Sequence, residues 1–309
     1  MTGPARRSKI VVVGSSNTDF VVRVPDIPSP GETVLGSTFA TVAGGKGANQ
    51  AVAAARLGAA VTFVARVGSD AWGDAALQAC AAEGINTEYM VRDPETPSGV
   101  ALIAVDDRGE NAIAVATGAN GRLSSADVEA ALPAIREADV LVLQLETPLD
   151  AVTRAAELGA SEGARVILNP APASGPLDGE LLRSVSVLTP NLGEAAVLSG
   201  RPPGGSEEAR SAARHLRAHG AANVLITMGE RGVLLEGEEA SGEIEAPSVQ
   251  ATDTTAAGDA FTGALAVALG EGRALLDAAR FAVQAAAVSV TRPGAQPSLP
   301  TREDVPDGT

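Results

Sequence analysis

Aromatic side chains are almost absent from this 309-residue chain: one Trp, one Tyr and five Phe make up 2% of it. The core must therefore be built from Ala, Val, Leu and Ile, which suits helices packed closely on a sheet. Cysteine occurs once, as Cys80, which excludes an internal disulfide. Cys80 lies in an Ala-rich helical stretch and reads as a small core residue rather than a nucleophile. Histidine occurs twice, as His215 and His219, four residues apart on a charged helix. That spacing can hold a metal, but no third ligand accompanies it, so a solvated face is the reading. No Ser-His-Asp or Cys-His constellation stands out. Basic residues number 23 against 38 acids, giving a formal charge of −15. Such a chain repels nucleic acid and carries no basic stripe. A phosphate ligand must then be held locally, by helix ends, backbone N–H groups and a metal. Long apolar runs are missing too. Ile10–Val13 is far too short for a signal segment, and no run of 18 apolar residues is free of charges and turn residues. The expected compartment is the cytoplasm, with no membrane contact.

Apolar residues are 45% of the chain and charged residues 20%, an ordinary globular balance. At this length a single domain over 1–309 can bury a large core. Lys9–Gly14 reads as a buried strand. Phe20–Val24 runs into Pro25, Pro28 and Pro30, which makes it a poor central strand. With the strand-like Thr33–Val42 it is expected to form a small projecting sheet. Gly99–Val105 and Asn111–Val115 are expected to form a hairpin around Asp106-Asp107-Arg108-Gly109. These lid strands span about 20–42 and 99–115. Further strands are expected at Val61–Val64, Val140–Leu143, Arg165–Leu168, Val185–Leu188, Asn223–Ile226 and Gly232–Leu235. Helices are expected at Ala48–Leu57, Asp70–Glu83, Leu149–Leu158, Gly193–Leu198, Glu207–Ala218, Ala256–Leu269 and Leu275–Val290. Alternating strands and helices predict an α/β fold, a three-layer αβα sandwich around a mostly parallel sheet. In such sheets ligands sit beyond the carboxyl ends of the strands. Thr301–Thr309 is polar and expected to be loose.

Four segments can carry chemistry. In Asp253-Thr254-Thr255-Ala256-Ala257-Gly258-Asp259 a polar turn opens an Ala-rich helix. The first-turn N–H groups and the helix dipole suit an anion there, and small residues let it approach. Asp259 can take a proton from an attacking hydroxyl, or it can merely complement the dipole. In Ala43-Gly44-Gly45-Lys46-Gly47-Ala48-Asn49 the glycines let a polyhydroxylated ligand touch the backbone, with Lys46 and Asn49 as hydrogen-bonding groups; a flexible turn is the other reading. The segment is neither a Walker A loop nor a dinucleotide fingerprint. Asn17 and Asp19 follow the first strand and suit hydroxyl binding or an Asx turn. Asn191 and Glu194 have capping-box spacing and also suit a Mg²⁺–phosphate. Trp72 reads as a packing residue.

The Gly44–Asn49 and Asp253–Asp259 segments resemble the two signatures of the ribokinase-like (PfkB) carbohydrate kinases, in the right order. The likeness extends from about Ile10 to Ser298. Pro30-Gly31-Glu32-Thr33, Gln144-Leu145-Glu146, Asn169-Pro170-Ala171-Pro172 and Gly294-Ala295-Gln296-Pro297-Ser298 read as in its ribose-phosphorylating members. The resemblance implies transfer of the γ-phosphoryl of ATP to the primary hydroxyl of a small sugar, D-ribose above all. Deoxyribose, another sugar or a nucleoside is the alternative acceptor, and a non-catalytic binding protein a further one. It implies a parallel sheet with a small β lid, ATP and Mg²⁺ as partners, K⁺ as activator and a homodimer. By position it matches Asn17, Asp19, Gly45, Lys46, Gly47, Asn49 and Glu146 to sugar contacts and Asp259 to the base. The backbone of Ala256, Ala257 and Gly258 matches the anion hole. Asn191, Thr227, Gly229, Gly232 and Gly258 match nucleotide contacts, with Gln284 placed near the adenine. Glu194 matches the acid associated with Mg²⁺. Asp253, Thr255, Ser289, Arg292, Gly294 and Ser298 match a K⁺ site.

Overall fold

A computed structural model describes residues 7–306. Its central sheet has nine strands, in the order β13-β12-β11-β10-β9-β8-β1-β4-β5. These are β1 (Lys9–Val13), β4 (Ala60–Gly68), β5 (Met90–Asp93), β8 (Val140–Leu143), β9 (Arg165–Leu168), β10 (Val187–Leu188), β11 (Asn223–Thr227), β12 (Val233–Gly237) and β13 (Ser241–Ile244). All pairings from β5 to β11 are parallel; β12 and β13 add on antiparallel. The short apolar runs form central strands because both faces are covered. Val140 and Val142 of β8 enter one apolar cluster, with the helices Lys46–Arg56, Ala257–Gly270 and Leu275–Ser289. Leu141 and Leu143 enter the opposite one, with Leu149–Ser161 and Ser206–Ala218. The predicted αβα layering and mostly parallel sheet are present.

A second sheet, in the order β3-β2-β6-β7, joins β2 (Asn17–Arg23), β3 (Thr38–Gly44), β6 (Gly99–Val105) and β7 (Asn111–Ala116). Asp106 shapes the β6–β7 turn by accepting from the backbone N–H groups of Arg108 and Glu110. Trp72 stands edge-on to Phe20 of β2, with ring centroids 5.2 Å apart.

Differences from the sequence reading have local causes. Thr33–Val42 yields a strand only from Thr38, because Leu35 stands in solvent at 86% exposure and gains nothing by pairing. Val185 is not in a strand. A helical turn over Gly179–Arg183 ends just before it, and its N–H bonds Leu182 O. Asn17 and Asp19 are extended residues of β2, so the Asx-turn alternative falls away. Thr301–Pro306 is held rather than loose: Asp304 caps Thr301 and pairs with Arg292, and Val305 is buried. The rest of that tail, 307–309, lies outside the described residues. Cys80 is buried, and burial with nearby Glu83 pushes its thiol up to about 11. His215 and His219 rings lie 4.1 Å apart, and no group of three metal-ligating side chains exists among the described residues. No described helix is long and apolar enough to cross a membrane.

Two glycine contacts set how closely the helices Lys46–Arg56 and Ala257–Gly270 and the exit of β1 approach one another. Gly263 lets Ala257–Gly270 approach Lys46–Arg56, since a Cβ there would meet the Ala53 methyl at 2.6 Å. Gly47 sits on β1's exit, where a Cβ would meet Ser15 N at 2.6 Å.

Candidate active site

The central strands end at one rim, and polar residues follow them: Gly14–Asn17 after β1, Gln144 and Glu146 after β8, Asn169 after β9, Thr189 after β10. Lys46–Arg56 begins at this rim without a capping side chain of its own, its N-cap being Gly45 at φ 88. Residues from elsewhere do the capping. Lys46 N–H donates to Glu146 Oε2 at 3.0 Å and Gly47 N–H to Ser15 Oγ at 3.3 Å. The Ser15 hydroxyl donates to the same Glu146 oxygen. The orphan first-turn donors are thus satisfied by β1 and β8, which seats this helix against both.

Ala257–Gly270 begins opposite. Ala256 precedes it at φ 59, the one non-glycine residue with positive φ among those described, and such local strain concentrates at functional sites. Asp259, in the first turn, is 5% exposed. Its Oδ2 accepts from Asn49 Nδ2 at 2.9 Å and its Oδ1 from Gln50 Nε2 at 2.9 Å. Burial pushes its carboxyl up from the ordinary range, against the pull of Lys46 and the two amides. Lys46 is also buried, which works against its charge, yet Asp259, Glu146 and Glu194 together hold its pKa above the usual value. Burial, and next to it Glu146, push Asp19 up to about 6. Asp19 lies on the Cα of Gly44, where a Cβ would be 2.1 Å from its Oδ2. Asn17 Oδ1 accepts from Asn120 Nδ2 at 2.7 Å. Asn49 Oδ1 is buried with no partner among the described residues, an acceptor suited to a ligand hydroxyl.

Two clefts meet here. A polar one of about 210 Å³ is lined by Lys46, Asn169, Asn191, Glu194 and Asp259. An apolar one of about 770 Å³ is lined by Val249, Phe261 and Val283, together with Thr227, Gly229 and Gly232. Ala257 and Gly258 line both. The wider cleft suits a planar base, the helix N-terminus an anion, and the polar cleft an alcohol beside a carboxylate.

Asn191 and Glu194 form a capping box, each backbone N–H donating to the other's side chain at 2.8 Å. Burial pushes Glu194 up, and it lines the polar cleft while it caps the helix. Asp253 ties a separate cluster. Its Oδ1 accepts from Thr255 N–H and hydroxyl, its Oδ2 from Gly294 N–H at 2.8 Å. Burial works against its charge, but these donors outweigh it and hold its pKa low. The Arg292 guanidinium is engaged elsewhere, pairing with Asp304. Ser289 and Ser298 hydroxyls donate to Ala286 O and Ala295 O, leaving lone pairs to accept.

Gln284 does not line the apolar cleft; Val283, Ala286, Ala287 and Val290 do. Those four share a helix face at three- and four-residue spacing, and Gln284 is turned away by one residue. Gln50, Gln144 and Asn120 received no role from the sequence. The available signal was a polar residue inside an apolar helix or straight after a buried strand, a position that demands a hydrogen-bond partner.

A family model for "pfkB family carbohydrate kinase" matches residues 7–302. The ribokinase of Haemophilus influenzae is 44% identical over 298 residues, 96% of this chain and 97% of that one. The deoxyribokinase of Salmonella typhi is 39% identical over 294 residues, 95% and 96% of the two chains. The structure of Arabidopsis thaliana ribokinase complexed with ribose and ATP superposes with a TM-score of 0.88, at 35% identity and 97% coverage of each chain.

Proposed function

The chain belongs to the pfkB family of carbohydrate kinases, and we propose that it transfers the γ-phosphoryl of ATP to the 5-hydroxyl of D-ribose, giving ribose 5-phosphate. The main support is Asp259: a buried carboxylate one residue from Gly258, where the polar and apolar clefts join. Ribose sits where Lys46 and Asp259 line the polar cleft, with Asn17, Asp19, Gly45, Gly47, Asn49 and Glu146, which flank that lining, as its further contacts. The adenine lies in the apolar cleft, with Asn191, Thr227, Gly229 and Gly232 along the phosphates. Asp259 accepts the 5-hydroxyl proton as the new O–P bond forms, and the bond from the γ-phosphorus to the bridging oxygen breaks with its electron pair leaving on ADP. The backbone N–H groups over Ala256–Gly258 meet the charge that develops on the transferring group, and Lys46 offsets the carboxylates around it. Magnesium bound with the nucleotide would neutralise phosphate oxygens, and Glu194, which lines the polar cleft, is the residue that would hold it. The oxygen donors of Asp253, Thr255, Ser289, Arg292, Gly294 and Ser298 fit a hard cation such as K⁺, with Asp253 and Ser298 offering side chains and the others mainly carbonyls. A cytoplasmic setting accords with ATP as the donor.

An ADP-release assay over a panel of sugars tests the reading. Ribose is expected to exceed 2-deoxyribose, fructose and nucleosides by at least about tenfold in kcat/KM, because a site that bonds a hydroxyl rejects the analogue lacking it. A different sugar leading the panel ends the ribose assignment. K⁺ is expected to raise turnover over Na⁺, and Asp253→Ala to abolish that difference; an unchanged K⁺ response in the variant removes the cation assignment.

The chain is also proposed to form a homodimer through its second sheet. Phe39, Leu102 and Ile113 are 66%, 58% and 56% exposed on it, and β3 and β7 leave open edges. Open edges and clustered apolar side chains call for a cover. Sedimentation should give a dimer, and Ile113→Asp with Phe39→Asp should give a monomer. A monomeric parent protein at micromolar concentration rules the interface out.

A further inference from the structure

We propose that Gln50 is the positioning residue that holds the Asp259 carboxylate in one rotation, with its Oδ1 as an acceptor, through a one-way chain of buried amides anchored on the central sheet. The inference rests on Asp259 being the base.

The chain begins at a main-chain carbonyl. β8, β9 and β10 lie side by side, and each is followed at once by a buried polar residue: Gln144, Asn169 and Thr189. Thr189 C=O accepts from Asn169 Nδ2 at 2.9 Å. A carbonyl can only accept, so the Asn169 amide has one orientation, with Oδ1 facing Gln50. Gln50 Nε2 donates to that oxygen at 3.1 Å and with its other hydrogen to Asp259 Oδ1 at 2.9 Å. Gln50 Oε1 faces back and accepts from Gln144 Nε2 at 2.7 Å. Reversing Gln50 would set its oxygen against two acceptors, Asn169 Oδ1 and Asp259 Oδ1, whichever way the Gln144 amide is turned. Gln50 can therefore show Asp259 only N–H.

Asn49 differs. It pins the other carboxylate oxygen, but its own Oδ1 has no partner among the described residues, so no chain fixes its polarity. Gln50 is fully buried and lines neither cleft, so it reaches a ligand only through the two cleft residues it bonds, Asp259 and Asn169, and of these Asp259 carries the charge. The charged groups facing Asp259 are Lys46 on the helix that carries Gln50, Glu146 after β8 and Glu194 at the start of Leu192–Ser199. None of them touches Gln50 by hydrogen bond. A donor on the charged form favours that form, so removing it makes Asp259 easier to protonate and turns it loose.

The test compares Gln50→Met, which has similar volume and no N–H, and Gln50→Glu, which keeps an acceptor for Gln144 and sets a second carboxyl against Asp259. Turnover of the whole enzyme with ribose and ATP is followed across pH, and ribose affinity is followed by calorimetry. Gln50→Met is expected to lower kcat about 10- to 100-fold near neutrality, the range for losing a hydrogen bond to a charged group. The acid limb of kcat should rise by about one pH unit, more in Gln50→Glu, while ribose Kd changes less than about threefold. In an Asp259→Asn background Gln50→Met should add less than about twofold, because its effect passes through that carboxylate. An unmoved acid limb, or a full additional loss in the double variant, overturns the role. If Gln50→Met does not fold, the acid limb of Gln50→Glu decides alone. Near-full turnover in Asp259→Asn by itself instead removes the base, and this role goes with it.

Discussion

Replacing Asp259 by Asn is expected to lower turnover about 10²- to 10⁴-fold, the usual contribution of a positioned general base, with ribose affinity changed only a few-fold. The substitution keeps shape and burial, removes the capacity to take a proton together with the charge beside Lys46, and puts an N–H₂ in place of one oxygen. Its packing cost should be small. The new N–H₂ meets either Gln50, whose polarity is fixed, or Asn49, whose amide can turn over to accept. The melting temperature should stay within a few degrees of the parent. Residual turnover comes from holding the two substrates in line. Steady-state kinetics with calorimetry decide: a folded variant with near-full turnover means that another group takes the proton. The pH profile carries the same information. As the proposed base Asp259 must be a carboxylate, and burial raises its pKa, so activity is expected above the folded-state pKa and should fall away as pH drops through it. Asp259→Asn should lose that limb. Asp19 adds a second, separable effect. Its pKa is raised from 3.8 to about 6 by burial and Glu146, so the folded state holds its proton more tightly than the unfolded chain. Its contribution to stability is therefore greatest below 3.8 and declines as pH rises to about 6. Burial and Glu146 disfavour ionised Asp19, and donor hydroxyls of the proposed sugar would relieve it.

The parts of this site that the sequence discloses are those where chemistry and local backbone coincide. Val140–Leu143 and Arg165–Leu168 are legible as strands because a short run of branched residues is buried on both faces. The glycine-rich turn and the Asp253–Asp259 turn are legible because small residues at a helix start leave little to explain except a ligand. Met90–Asp93 and Ser241–Ile244 are not. Each has four residues of mixed polarity, and pairing with a neighbour defines them rather than composition. The helices Ser125–Ala130 and Leu132–Arg136 are too short to show a period. The positive φ of Ala256 has no compositional trace, since alanine ordinarily avoids it. Gln50 illustrates the deepest limit. Its partners stand 94 to 209 residues away in sequence, so only the closed fold shows that they form one chain.

Gly45→Ala is expected to damage the site from the backbone side, with a different signature. Gly45 has φ 88 and ψ 131, a combination open to glycine and costly to any other residue. A Cβ there would stand 2.7 Å from Asn17 N, 2.9 Å from Ser16 Cα and 3.0 Å from Ser15 O. These are backbone atoms of the exit from β1 and the start of β2, and they cannot swing aside as a flexible side chain could. The first turn of Lys46–Arg56 must retreat, which pulls Lys46 N–H from Glu146 and Gly47 N–H from Ser15. Asn49 and Gln50 ride on the same helix, so both carboxylate oxygens of Asp259 lose register together. Strain and displacement should cost about 2–4 kcal/mol of stability. A shift near 1 Å in such a constellation should cost about 10²-fold in kcat/KM for ribose. Unlike Asp259→Asn, the loss should appear in ribose affinity as well as in turnover. Gly84→Ala is the control: its φ of 75 is also positive, but nothing lies within 4 Å of the added carbon, and it is far along the chain from the rim. It should share the strain and leave ribose binding intact. If Gly45→Ala binds ribose as tightly as the parent, the glycine turn is not shaped by close contact with β1, and the seating of Lys46, Asn49 and Gln50 around Asp259 needs another cause.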